Sequence, residues 1–212
     1  MPETTDITDT TVSRNEREAA EDIFYGQVVI NWARWFVILA GMAFVMMAAD
    51  TTSELAIGMA PVVGLMVVNF YLHGRRLVNQ PANLTLVGIS SFIDVILITA
   101  VVIIGPSEEL MGLDSQFYVL YFPVIAAFSF VFGRKMAIAF TAFTGVAYVA
   151  ATIIAGTDSP TALLGSSLLG SSEDAESLVT RVIVMLAIGG LGTYFWKVQR
   201  DRRHQQSTVA VE

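Results

Sequence analysis

The sequence contains no cysteine, only two histidines, and only two lysines, Lys135 and Lys197. The lack of cysteine excludes disulfides, thiol nucleophiles and cysteine-ligated metals. His73 and His204 both lie outside the apolar runs, so no buried imidazole is available for haem ligation or for a membrane serine protease. There is no HExxH pair and no glycine-rich phosphate loop, which removes the zinc-peptidase and nucleotide-binding signatures. An aspartyl protease needs two carboxylates sharing a site, and Asp94 is the one acid within an apolar run. These absences together give a non-catalytic reading with no metal site.

Charge is also scarce. Asp, Glu, Lys and Arg make up 15% of the chain, against roughly 25% for a soluble domain. The formal net charge is −7, so the basic footprint of a nucleic-acid binder is missing. In place of charge there are hydrophobic residues, 54% of the chain, with a mean hydropathy of +0.63. They gather in six runs, at 28–49, 55–72, 84–104, 117–132, 137–154 and 178–196. Runs of this length and spacing read as membrane-spanning helices, not the alternating strands of a barrel. The expected fold is all-α: a polytopic bundle of six transmembrane helices in the lipid bilayer, with Pro61 and Pro123 interrupting two spans.

Orientation follows from Lys and Arg in the short connections. HGRR at 73–76 and GRK at 133–135 each carry two, and WKVQRDRR near the C-terminus carries four. The segments 49–54, 105–116 and 155–177 carry none. This alternation predicts both termini in the cytoplasm of a cell with the chain in its inner membrane. Trp32, Trp35 and Trp196 all fall at expected cytoplasmic helix ends, where indoles anchor. The outer-loop acids read as solvated charge, and the duplicated LLGSS at 163–172 as a segment lying on the membrane surface. Residues 1–27 form an acidic tail able to extend the first helix, with no apolar core of a secretory signal. Residues 28–196 form the membrane domain, and 197–212 a short basic tail.

One feature stands out against this apolar background. FIDVILITAVVII, residues 92–104, holds Asp94 about 15 Å along the third helix. A charged Asp at mid-bilayer costs about 2.5–3.5 kcal/mol on insertion scales. Such a residue faces the bundle interior and pairs, or stays protonated. Arg34 on the first helix and Asn69 near the inner end of the second reach a similar depth, and Asn31 shares a face with Arg34. Thr99, Ser129, Thr141, Thr144 and Tyr148 add hydrogen-bonding capacity. Two readings stand side by side. One is a buried polar network with Asp94 and Arg34 as its ionisable pair. The other is a structural interhelix hydrogen bond, worth about 0.6 kcal/mol on average, with Arg34 snorkelling to the headgroups.

The stretch FIDVILITAVVIIG, then SQF, then YVLYFPVIAAFSFVFGRK, together with ARWFVILAG at 33–41, resembles the membrane-embedded input module of bacterial sensor histidine kinases of the RegB/PrrB type. Asp94, Gly105, Phe117 and Pro123 match that pattern in position and type. Pro106 and Ser115-Gln116 depart from its Gly-Gly and Asn-Pro elements. The resemblance implies a two-component sensor module, expected to be a homodimer, that passes a small hydrophobic or membrane-borne signal through the sixth helix to a cytosolic signalling partner. It also points to a quinone as the candidate cofactor, which Gly105, Phe117, Tyr118 and Tyr121 would line. No kinase output follows VQRDRRHQQSTVAVE, so the output is expected from a partner or from the exit of helix six. The alternatives are a small transporter or channel subunit, or a membrane scaffold recruiting cytosolic partners through its tails.

Overall fold

A computed structural model describes residues 6–78, 83–106, 110–155 and 172–209, and within these it leaves out the side chains at 6–25, 76–77, 172–173, 196 and 199–209. The described residues are all-helical, with six α-helices among them: α1 (Asp6–Ala48), α2 (Thr52–Leu77), α3 (Leu84–Ile104), α4 (Tyr121–Val131), α5 (Arg134–Ala155) and α6 (Ser172–Val209). A 3-10 turn, Gln116–Leu120, leads into α4. Five helices contain stretches long and apolar enough to cross a membrane: Gly26–Ala48, Thr52–Arg75, Leu84–Ile104, Arg134–Ala155 and Asp174–Phe195. The sixth apolar unit, Gln116–Val131, is shorter. This is the build of a multi-pass membrane protein.

Local chemistry sets the helix ends. Thr51 caps α2 by accepting from the Glu54 amide at 3.3 Å, while the Glu54 carboxylate reaches back to the Asp50 amide at 2.9 Å. Both contacts satisfy amides that the helix itself leaves orphaned. Asn83 caps α3 by accepting from Leu86 N at 2.9 Å. Gly105 ends α3 at φ +59°, its amide donating to Val101 O. That conformation is open to glycine and strained for other residues.

Several boundaries differ from expectation, because an apolar window locates where a helix meets lipid and not where its hydrogen bonds stop. HGRR at 73–76 lies inside α2 and is not a loop. Arg134 and Lys135 form the first turn of α5. Helix α2 runs unbroken through Pro61. Pro123 is the third residue of α4, where its missing N–H would have had no intrahelical partner. Helices α1 and α6 extend well past their apolar stretches, by about 30 Å and about 20 Å at 1.5 Å per residue.

Helix α4 is the central post. It packs between α1 and α6 and also touches α3 and α5. Phe128 stacks on Phe132 at 4.0 Å and on Phe140 of α5 at 3.8 Å, with Phe92 of α3 edge-on to Phe128 and Phe140. Such ring pairs add roughly 0.5–1.5 kcal/mol each beyond their area. Helix α4 runs antiparallel to α1. Phe117 meets Phe44 edge-on at 5.8 Å, Leu120 borders Gly41, and Val131 borders Gly26. Buried hydroxyls of α5 bond to their own helix, Thr141 to Ala137 O and Thr144 to Phe140 O, so they need no interhelix partner. The outward faces are apolar, with Met47, Trp32 and Val67 among the most exposed side chains, as expected for surfaces that meet lipid tails.

Helix α6 approaches α4 and α5 through glycine. A methyl group at Gly192 would lie 2.5 Å from Ser129 Cβ, and one at Gly189 would lie 2.9 Å from Thr141 Cβ. At Gly190 it would meet nothing within 4 Å. Gly189→Ala and Gly192→Ala should each destabilise the bundle by about 1–3 kcal/mol through overpacking. Gly190→Ala should stabilise it by about 0.5–1 kcal/mol through helix propensity. Thermal unfolding in detergent or nanodiscs measures all three, and equal effects at the three positions would contradict this packing.

Candidate functional site

Ser90 and Asp94 lie four residues apart on α3 and therefore share a face. Arg34 of α1 reaches both. Its Nε donates to Asp94 Oδ2 at 2.6 Å, and an Nη donates to Ser90 Oγ. Ser90 Oγ in turn donates to Val87 O at 2.7 Å. Arg34 and Asp94 are 2% and 1% exposed, so the pair is buried inside the bundle. Arg34 does not snorkel; its charge is neutralised inside the bundle.

Asn69 of α2 stands at the same level. Trp35, beside Arg34, meets Phe70 edge-on at 5.7 Å, and Gly64 borders Leu97 of α3. Those contacts register α1, α2 and α3 so that residues 34, 69 and 94 form one layer. Asn69 is buried, and among the described residues neither atom of its amide has a hydrogen-bond partner; Asp94 Oδ1 has none there either. Buried polar atoms are usually paired, and an unpaired one costs about 1–3 kcal/mol. The layer thus holds unused hydrogen-bonding capacity next to a strong ion pair.

A pocket of about 30 Å³ opens beside the pair, between the middle of α1, the last turns of α2 and the first turn of α3. Arg34 lines it, with Asn31 and Gln27 on the same face of α1 and His73 of α2. Of the expected site residues, Arg34, Asp94, Asn31 and Asn69 therefore come together at one end of the bundle.

Gly105 ends α3 about 16 Å beyond Asp94, and Phe117, Tyr118 and Tyr121 belong to the same half of the bundle. There the rings are engaged in packing. Phe117 is buried against Phe44. The Tyr121 and Thr99 hydroxyls are 2.8 Å apart. The Arg181 guanidinium sits 4.1 Å from the centroid of the Tyr118 ring, a cation–π distance. Arg181 also donates to Leu113 O and to the Tyr148 hydroxyl, the latter at 2.9 Å. One arginine of α6 thus clamps the segment before the 3-10 turn to α5.

Sequence reasoning missed Ser90, whose spacing from Asp94 was the available signal, and it missed the pocket wall at His73 and Gln27. Tyr148 was among the hydrogen-bonding residues expected in the interior, and nothing in its spacing from Arg181 reveals that the two meet. Trp35 packs between helices, while Trp32 faces outward. The side chains of Trp196 and Glu173, the acids Glu108, Glu109 and Asp158, nearly all of the LLGSS duplication and most side chains of the two charged tails lie outside what the structure describes. Among the described residues no group of three or more His, Asp or Glu is placed to hold a metal ion.

Removing one partner of a buried ion pair leaves an uncompensated charge, at a cost of about 3–5 kcal/mol. Arg34→Met and Asp94→Leu should each lower stability by that order, and the double variant should recover most of the loss. Additive losses in the double variant would show that the two side chains do not act as a pair. Asn69→Leu should leave stability unchanged or raise it, because no hydrogen bond is lost; a fall of more than about 2 kcal/mol would place a partner on that amide.

Comparison of the chain with protein-family models, curated proteins and solved structures gives no match.

Proposed function

We propose that this protein is a non-catalytic sensory or regulatory membrane module, in which occupancy of a polar site at the inner end of the bundle biases the helices that leave it. The observation that carries this reading is that Arg34 belongs to α1, the helix that continues about 30 Å past its apolar stretch. The ion pair holds α1 against α3, so anything that competes for the guanidinium acts directly on a helix that reaches beyond the membrane. Helix α6 provides a second such extension, and both helices pack on α4. A buried pair with unpaired polar atoms beside it suits a two-state element better than a purely structural bond, which would be fully satisfied.

The topology belonging to this proposal has six crossings with both termini on the cytoplasmic side of the inner membrane. The antiparallel run of Phe117–Val131 along Phe44–Gly26 supports a crossing by the 3-10 turn and α4 together. The two-residue connection at 132–133 then makes α4 and α5 an antiparallel hairpin. With an even number of crossings, the extensions of α1 and α6 emerge together, where a cytosolic partner or a second copy of the chain would receive them. The resemblance to RegB-like input modules fits this arrangement. A quinone at the outer end has less support, since Phe117, Tyr118 and Tyr121 already have partners in Phe44, Arg181 and Thr99.

The absence of cysteine makes site-directed labelling clean. Thr10→Cys and Gln205→Cys should react with a membrane-impermeant maleimide in inverted vesicles and not in intact spheroplasts. Labelling of the two from opposite sides would overturn the six-crossing topology. Spin labels at the same two positions should report a changed distance distribution when Asp94→Asn weakens the pair. An unchanged distribution would reduce the pair to a packing element and remove the basis for the sensory reading.

A further inference from the structure

The pocket beside the ion pair has a definite chemical character. Among the described residues its polar lining consists of Gln27, Asn31, Arg34 and His73, all side chains that carry N–H donors, with no carboxylate among them. Asp94 lies behind Arg34 and takes only one of the five N–H groups of a guanidinium, with Ser90 taking another. The remaining wall is apolar, from Ile30, Leu72 and Val87. A volume of about 30 Å³ admits a few heavy atoms and no more. Two neighbouring features place the opening at the membrane boundary. Trp32, on the next position of α1, is 72% exposed, as an interfacial indole is. His73 and Arg75 end the apolar part of α2.

We infer that this pocket binds an anionic group, a phosphate or carboxylate, presented by a membrane amphiphile whose apolar portion stays in the bilayer. The donor set matches such an anion: a guanidinium forks onto carboxylate or phosphate oxygens, and neutral amides complete the shell. The apolar wall meets the first carbons below the head. The bound anion competes with Asp94 for one guanidinium. In this way the site gives the sensory reading above its ligand class, and in that respect it rests on that reading.

The test uses the full chain in nanodiscs of phosphatidylcholine, doped in separate arms with phosphatidylglycerol or oleate, and a further arm with inorganic phosphate in solution. Native mass spectrometry counts retained adducts, and thermal unfolding follows the mass-action shift. Saturable adducts and a raised unfolding temperature are expected with the anionic amphiphiles. Asn31→Leu with His73→Leu should weaken binding about tenfold, from the loss of hydrogen bonds to a charged group. Arg134→Gln with Lys135→Gln, which removes basic charge at the start of α5 from residues that do not line the pocket, should not. An equal response to inorganic phosphate would support the anion site and assign it a water-borne source. Binding that does not saturate, or that is lost equally in the two double variants, would overturn the inference and leave only general attraction of basic residues to anionic lipid. The outcomes separate cleanly from those of the spin-label experiment. Site-specific binding without movement of the labelled helices sinks the sensory reading and keeps the anion site. Movement in Asp94→Asn without site-specific anion binding does the reverse.

Discussion

The Arg34–Asp94 ion pair, set in an apolar interior, is the constraint around which one half of this bundle is built. Arg34 and Asp94 each carry a charge that hydrocarbon does not tolerate. Bringing them to 2.6 Å of each other offsets part of that cost, and Ser90 supplies a further hydrogen bond. Because Arg34 is on α1 and Asp94 on α3, the two helices are held at one register. Helix α2 follows, with Trp35 against Phe70 and Gly64 against Leu97. The pocket lies where the three helices diverge beyond this layer.

The other half uses a different device. Arg181 joins a backbone carbonyl, a phenol and an aromatic face, so its charge is dispersed among neutral partners and not cancelled by a carboxylate. The arrangement fastens the chain entering the 3-10 turn, and with it the start of α4, against α5 and α6. Stacked Phe128, Phe132 and Phe140 fill the interior beside the first half of α3, where Phe92 meets Phe128 and Phe132 borders Gly88. The ion pair has a pocket beside it, whereas the Arg181 clamp is surrounded by rings. That asymmetry is why the ion pair's side of the bundle is the better candidate for a response to ligand.

Much of this was legible in the sequence, and what was not has a physical cause. The limits of α3 were readable to the residue, since Asn83 and Gly105 are strong helix boundaries on either side of an apolar run. Asp94 and Arg34 declared themselves because each is costly in lipid and each offers the other relief. The ends of α2 and α5 were misplaced, because basic residues mark the membrane boundary and do not break a helix. Helix α4 was read as one span, yet it begins as a 3-10 turn, a detail set by Ser115 accepting from the Phe117 amide. Asp94 stands halfway along α3, about 16 Å from Gly105, a separation that the linear pattern linking them in the family resemblance does not bring out. The Arg181 clamp was invisible, because contacts between residues 113, 148 and 181 depend on how α5, α6 and the segment before the 3-10 turn pack.

The most direct test of the central claim is solid-state NMR of the protein in lipid bilayers, measuring the dipolar coupling between the Arg34 guanidinium nitrogens and the Asp94 carboxyl carbon. The account predicts a coupling that corresponds to direct hydrogen-bonded contact in the resting protein. An Arg34 guanidinium coupled to lipid phosphorus, with no coupling to Asp94, would show the arginine snorkelling to the headgroups and would contradict the pair on which the rest depends.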